Sequence, residues 1–354
     1  MIKDSGKLIA DACRGVRPAR TPIFDIFVND AVIEHFAGRP LLNGVSGEET
    51  AALAAANALD ATRWIPAPNI DGSTWTDEVG NIRIASRWTA WIQKHALTGV
   101  NQWAEWIKHH INRLESEPRP SEEECAKIAV NQRAYNQKLN GLVLIHCAPS
   151  AAVNDALFGY CGLETFSYLW ADYPDLIRRW LRALEGKAMR HVQLNAHSEN
   201  CILAMVYSDI AYKERLMFSK NTLKEFGFFD NIAKLCGLCH DKGLKLIFHS
   251  DGYIMDVLPD LIAAGIDGLN PIEKAAGMDV YEIRRRYPEL ILVGGMDVTH
   301  LLPYGTPEQI RKETRRMISE AGDSGRLLIG SSTELENNVP LTNYLAFHDE
   351  VMRK

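Results

Sequence analysis

The sequence predicts an α/β fold of the (β/α)8 TIM-barrel class, with residues 1–354 forming one barrel domain. Three observations predict it. Short continuous apolar runs alternate with helical stripes through the second half of the chain, as parallel strands covered on both faces require. Successive runs start roughly 20–45 residues apart, which suits βα units joined by right-handed crossovers. Ionisable residues stand at or just after the ends of these runs, where a parallel barrel gathers its loops on one face.

The runs at residues 201–207, 244–248, 266–269, 290–293 and 327–329 read as strands, and 22–28 and 141–145 read as earlier ones. Between them, Phe228, Ile232, Leu235, Cys236 and Cys239 fall on one helical stripe, with Gly243 as its C-terminal stop. Asp256 is placed to cap a helix that takes Pro259 in its first turn, and Gly265 to end it. Thr306-Pro307-Glu308-Gln309 reads as a capping box, after which Ile310, Met317 and Ile318 face inward. Seven strands are placed in this way, and no segment stands out as the eighth. Residues 51–133 are less regular and hold six of the eight tryptophans, at 64, 75, 88, 91, 103 and 106. They read as an insertion over the barrel mouth, either packing as a lid or lining an aromatic pocket.

Composition narrows the function. Hydrophobic residues make up 46% and charged residues 24%, with a net charge of -6 and no basic stripe, which argues against nucleic-acid binding. No apolar run reaches the ~18 residues of a membrane span. The leading residues 1–20 lack the apolar centre of an export signal, so the expected compartment is cytoplasmic and the seven cysteines are expected to be reduced. Cys236-Gly237-Leu238-Cys239-His240 has the spacing of a haem attachment site but falls on an inward helix stripe, so it reads as core. His109 and His110 read as surface.

Five junctions carry ionisable side chains: Asp209, His249 with Asp251, Glu273, Asp297 and Glu334. Aspartate at a βα junction often only caps the next helix, but glutamate and histidine are poor caps, so five caps together is an unconvincing explanation. Clustered carboxylates with an imidazole permit two chemistries. They can hold a cation such as zinc, or crowding and burial can raise a carboxyl pKa until it donates a proton near neutrality.

Several strings resemble the uroporphyrinogen decarboxylase superfamily: 208–213, Phe248-His249-Ser250-Asp251-Gly252, 264–271 with Asn270-Pro271, Gly294-Gly295-Met296-Asp297, and the segments 19–25 and 340–346 near the ends. The resemblance implies closure to eight strands and a wide mouth for a tetrapyrrole or a methyl donor. It implies Asp209, Tyr212, His249 and Asp297 as catalytic residues and Arg20, Asp25 and Asn270 as substrate contacts. In the decarboxylase branch, an Arg-Gln-Ala-Gly-Arg-like loop grips substrate carboxylates. Residues 13–20 keep arginines, among them Arg17 and Arg20, without that core. In the corrinoid-dependent methyltransferase branch, thiol-methylating members carry a His-x-Cys pair and a later cysteine on zinc. Here Asp251 replaces the first cysteine, and Ser331 to Glu334 offers none. The resemblance therefore implies zinc on His249, Glu273 and Glu334, a harder set suited to an oxygen-linked methyl donor such as a methyl ether or methanol. A corrinoid protein would be the partner. The alternative is a cofactor-free decarboxylase of a tetrapyrrole or other carboxylate.

Overall fold

A computed structural model describes residues 4–353; residues 1–3 of the leading segment read above lie outside it. Among the described residues twelve strands form: β1 (Phe27–Val28), β2 (Ala61–Thr62), β3 (Thr74–Thr76), β4 (Ile82–Ser86), β5 (Thr89–Lys94), β6 (Val143–Leu144), β7 (Leu203–Tyr207), β8 (Lys245–His249), β9 (Gly268–Asn270), β10 (Ile291–Met296), β11 (Leu327–Ser331) and β12 (Leu335–Glu336).

Strands β7 to β11 make one parallel sheet in sequence order. Parallel bridges extend it in both directions. Cys147 pairs with Ala204 and Ser150 with Tyr207, β6 pairs with β2, Ala61 pairs with Phe24, and Ile23 pairs with Ile329 of β11. The parallel pairings therefore return to the strand from which they started, through eight segments. Side chains alternate across this cycle as the strand period demands. Leu203, Met205, Ile247, Ile291, Val293 and Leu328 pack with Phe24, Ala61 and Ile145 in one inner cluster. Ala204, Val206, Leu246, Phe248 and Leu292 point the other way, into the larger cluster shared with the helices. Ile9, Ala12 and Cys13 of the helix Ser5–Arg14 join the inner cluster.

The strands placed from the sequence appear with shifts of one to three residues at their ends, apart from the 22–28 run. That run forms the bridging residues Ile23 and Phe24 and then β1, which pairs with β12. The helix Phe228–Asp241 buries Ile232, Leu235, Cys236 and Cys239 as the stripe required. Thr306 and Gln309 form the capping box. Asp256 caps nothing: the helix Leu258–Ala263 has Val257 at its N-cap and no side-chain cap.

The missing strand is β2, inside the stretch read as an insertion. Its Ala61 and Thr62 stand in no apolar run, and the helix Val45–Ala58 that precedes it is mostly small residues. Only the antiparallel sheet β3–β5 and the helices Val100–Ser116 and Glu122–Asn136 stand apart from the βα alternation. The tryptophans scatter accordingly. Trp103 is buried, Trp106 packs on Trp180, and Trp75 and Trp91 are exposed on β3 and β5. His110 is buried too, accepting from the Trp180 indole at 3.2 Å, contrary to the surface reading.

Arg20 serves the fold rather than a ligand. Asp60, immediately before β2, is 1% exposed and accepts from Ser5 Oγ at 2.7 Å, from the Ile23 amide at 2.8 Å and from both Arg20 terminal nitrogens. Burial opposes its charge, but the Arg20 hydrogen bonds and charge prevail and hold the carboxyl below the usual range. Removing one partner of such a pair strands a buried charge. Arg20→Met is expected to cost about 3–5 kcal/mol in denaturant melts, with part of the loss recovered in the Arg20→Met/Asp60→Asn double variant. A near-neutral single variant would contradict the structural assignment.

Candidate active site

The carboxyl ends of the parallel strands open into a cavity of about 980 Å³, and its lining includes Arg63, Tyr207, Asp209, His249, Asp251, Glu273 and Glu334. Each is delivered by the end of a strand or by the loop that follows it. The sequence argument required this convergence, and the structure supplies it for four of the five junctions.

His249 ends β8 and is buried. Its Nδ1 lies 2.7 Å from Asn270 Oδ1, at the end of neighbouring β9. The Asn270 amide nitrogen donates to the Val293 carbonyl at 3.2 Å. A carbonyl only accepts, so the Asn270 NH2 must face Val293 and its oxygen must face the imidazole. Nδ1 therefore carries the proton, and Nε2 keeps a lone pair on the cavity side, 3.8 Å from Asp209 Oδ1. Burial, reinforced by the Arg63 charge, pushes the His249 pKa down to about 4, against the pull of Asp209 and Asn270. The ring is neutral at physiological pH.

Asp209 accepts the Asp251 amide at 3.0 Å, while its own amide donates to Asn154 Oδ1. Asp251 Oδ1 is buried and has no hydrogen-bond partner. Burial, then the charges of Asp209 and Glu273, push the Asp251 carboxyl up to about 7. Glu273 accepts the Gly252 amide at 2.8 Å. Gly252 sits at φ +85°, and a Cβ there would press on the backbone of Ala211 and Tyr212, so only glycine allows the 249–252 turn to lie so close. One ligand atom from each of Asp209, His249 and Asp251 falls within 4.8 Å of the others.

The inferred metal set is thus only partly assembled. His249 belongs to the cluster, Asp209 and Asp251 join it, and Glu273 and Glu334 lie outside it. Glu334 is instead held by Arg63 at 2.8 Å, whose guanidinium lies 4.5 Å from the centre of the Tyr207 ring. Asp297 accepts the Thr299 and His300 amides at 2.9 Å, so its carboxylate is turned back onto its own loop, although the helix Leu301–Tyr304 that follows has His300 at its N-cap and no side-chain cap. Tyr212 is 51% exposed and absent from the cavity lining, and its backbone bonds to Arg215 and Tyr253. Asp25 is fully buried, bound by Ser331 Oγ at 2.6 Å and by the Ile26 amide at 2.9 Å, so it ties segment to segment instead of touching a substrate. Asn270 orients His249 from behind. Arg20, with Arg17, borders a hollow beside Leu327, where β11 begins, at the opposite end of the strands.

Arg63, Tyr207, Tyr304 and Glu336 line the cavity and were not singled out by sequence reasoning. Arg63 follows β2, so failing to see that strand hid the residue as well. Of the six tryptophans counted above, Trp64 alone lines the cavity.

A parallel α/β chain that brings a neutral imidazole and opposed carboxylates to one cavity at its strand ends is an enzyme. Residues 217–353 match the family described as uroporphyrinogen decarboxylase (URO-D). This match spans less than half of the chain and makes that part similar to the uroporphyrinogen decarboxylase family. Its fold is similar to that of a methyltransferase from Methanosarcina mazei, with a TM-score of 0.67 and 15% identity over 99% of this chain and 98% of that one. No curated protein sequence matches it.

The lowered His249 pKa has a measurable sign. An ordinary histidine titrates at 6.5 and this one at about 4, so its contribution to stability is present above 6.5 and is lost as pH falls through about 4. Nitrogen-15 spectra are expected to show the Nδ1–H tautomer of His249 persisting at pH 6, and His249→Gln to lose that part of the acid sensitivity. A ring titrating near 6.5 would refute the reading.

Proposed function

We propose that this enzyme is a methyltransferase that takes a methyl group from an oxygen-linked donor, a methyl ether or methanol, and passes it to a corrinoid protein. The chain acts as one (β/α)8 domain, with the cycle of eight parallel segments as the closed barrel, in the cytoplasm. No helix among the described residues is long and apolar enough to cross a membrane. The observation that carries the reading is the Asp209–His249–Asp251 cluster, in which one ligand atom of each residue lies within 4.8 Å of the others and one Asp251 oxygen is buried without a partner.

Those residues fit a zinc ion. The donors are one imidazole nitrogen and carboxylate oxygens, which zinc accepts at about 2.0–2.2 Å. The imidazole is already in the ligating tautomer, with Asn270 in the supporting position. The orphaned Asp251 oxygen, crowded by Asp209 and Glu273, requires either a proton or a cation. Zinc bound by these three residues would act as a Lewis acid toward the donor oxygen.

The chain's own residues do the remaining work. Asn270 fixes the imidazole. Glu273 holds the Gly252 amide and with it the turn that carries Asp251. Arg63 keeps Glu334 against one wall. Burial above all pushes the Tyr207 hydroxyl up to about 12, so it stays protonated and is the neutral donor available to the oxygen from which the methyl departs.

The decarboxylase alternative needs cations to grip substrate carboxylates. The lining offers Arg63 alone, and that residue is engaged by Glu334.

Purified chain is expected to hold about one zinc per molecule by elemental analysis. His249→Ala, Asp209→Ala and Asp251→Ala should each abolish retention, and Asn270→Ala should weaken it about 10–100-fold. Glu334→Gln should retain it. Methyl transfer to reduced corrinoid from methyl ethers or methanol should vanish with the zinc. A metal-free chain of full activity would end this reading.

Tyr207→Phe tests the proton donor separately. It should leave zinc retention unchanged and lower kcat about 10²–10⁴-fold, the usual range for a lost general acid. An unchanged kcat would remove Tyr207 from the chemistry.

A further inference from the structure

We infer that the substrate admitted to this cavity carries a positively charged, ammonium-type group. The inference deepens the proposed function and rests on it for where the substrate sits. Five carboxylates line the cavity, those of Asp209, Asp251, Glu273, Glu334 and Glu336, against the single guanidinium of Arg63. That guanidinium is committed: it bonds Glu334, lies against the Tyr207 ring, and its side chain is 9% exposed. A divalent ion held by Asp209, His249 and Asp251 would balance the first two carboxylates. Glu273 and Glu336 would still face the space uncompensated. With or without the ion, the cavity is negative, and a cleft with low-dielectric walls concentrates such a field.

A second feature points the same way. Trp64 and Tyr304 line the same cavity and leave large aromatic surfaces open, 41% and 80% exposed. The faces of aromatic rings attract organic cations and disfavour anions. Carboxylates without a paired cation and open rings together suit a small donor bearing an amine or a quaternary ammonium, and they oppose a carboxylate-rich one.

Calorimetric titration of the full chain, with and without zinc, tests this using choline, its uncharged tert-butyl isostere and pivalate. Choline and its isostere share shape and hydroxyl, so any ligation of the metal cancels between them. Choline should bind about tenfold tighter than the isostere at low ionic strength, with pivalate weakest, and the gap should shrink with salt. Glu336→Gln should weaken choline about threefold, and Trp64→Leu and Tyr304→Leu about 2–5-fold each, with isostere binding little changed by the glutamine variant. Equal binding of choline and isostere, tightest binding of pivalate, or no measurable binding of choline would overturn the inference. Failure of methyl transfer with every donor would overturn the proposed function while leaving a choline preference intact, so the two failures are distinguishable.

Discussion

The seam between residues 22–25 and β11 is the constraint on which the rest depends. The Phe24 amide donates to the Ile329 carbonyl at 2.9 Å, and the Ile329 amide returns to Pro22 at 2.9 Å. Ser331 binds Asp25. The approach is so close that a Cβ on Gly330 would overlap the Phe24 carbonyl, so no other residue fits without displacing a strand. With the seam closed, the strand after Asp60 has a place, Arg63 reaches the cavity, and the loops after β8 to β11 face one another. Opened, it would leave the same side chains on separate edges of a sheet.

Within that frame the site is governed by crowding of like charge. The loop that carries Asp251 is drawn between Asp209 and Glu273 by its own backbone amides, that of Asp251 donating to Asp209 and that of Gly252 to Glu273, and not by cations. Backbone donors fix direction but carry little charge, so burial first, and then the repulsion from Asp209 and Glu273, leaves Asp251 a carboxyl that keeps its proton to about 7. The His249–Asn270–Val293 relay answers the same problem by a different route. It settles which nitrogen is bare without placing another charge in the site.

Much of this was legible in the sequence where local pattern and tertiary role coincide. The strands from β7 to β11 are buried on both faces, so their apolar runs stand out, and their junction residues could be named before any geometry was known. Legibility failed where a role is assigned by distance. Asp297 and Asp209 look alike as junction aspartates, yet one turns back to its own loop amides and the other meets a neighbouring loop. Arg20 and Arg63 are both isolated arginines near short strands, and nothing local says that one anchors a buried aspartate below the strands and the other lines the cavity above them. β2 was invisible because Ala61 and Thr62 stand in no apolar run, whereas the equally short β6 lies within the apolar stretch 141–145. The family match, covering residues 217–353, falls on the half where the pattern was already clear.

The seam also has a consequence for biosynthesis. Asp25 and Ser331 are separated by 306 positions, so the contact that closes the cycle joins its first segment to its last. A chain emerging from the ribosome can pair its strands in order, each with the one before, but the first must wait with one edge bare until the final βα unit has left the exit tunnel. Contacts this distant in sequence slow folding because the loop entropy is lost before the contact returns anything. During translation the nascent enzyme therefore exposes two open sheet edges, the feature that chaperones and neighbouring nascent chains most readily engage.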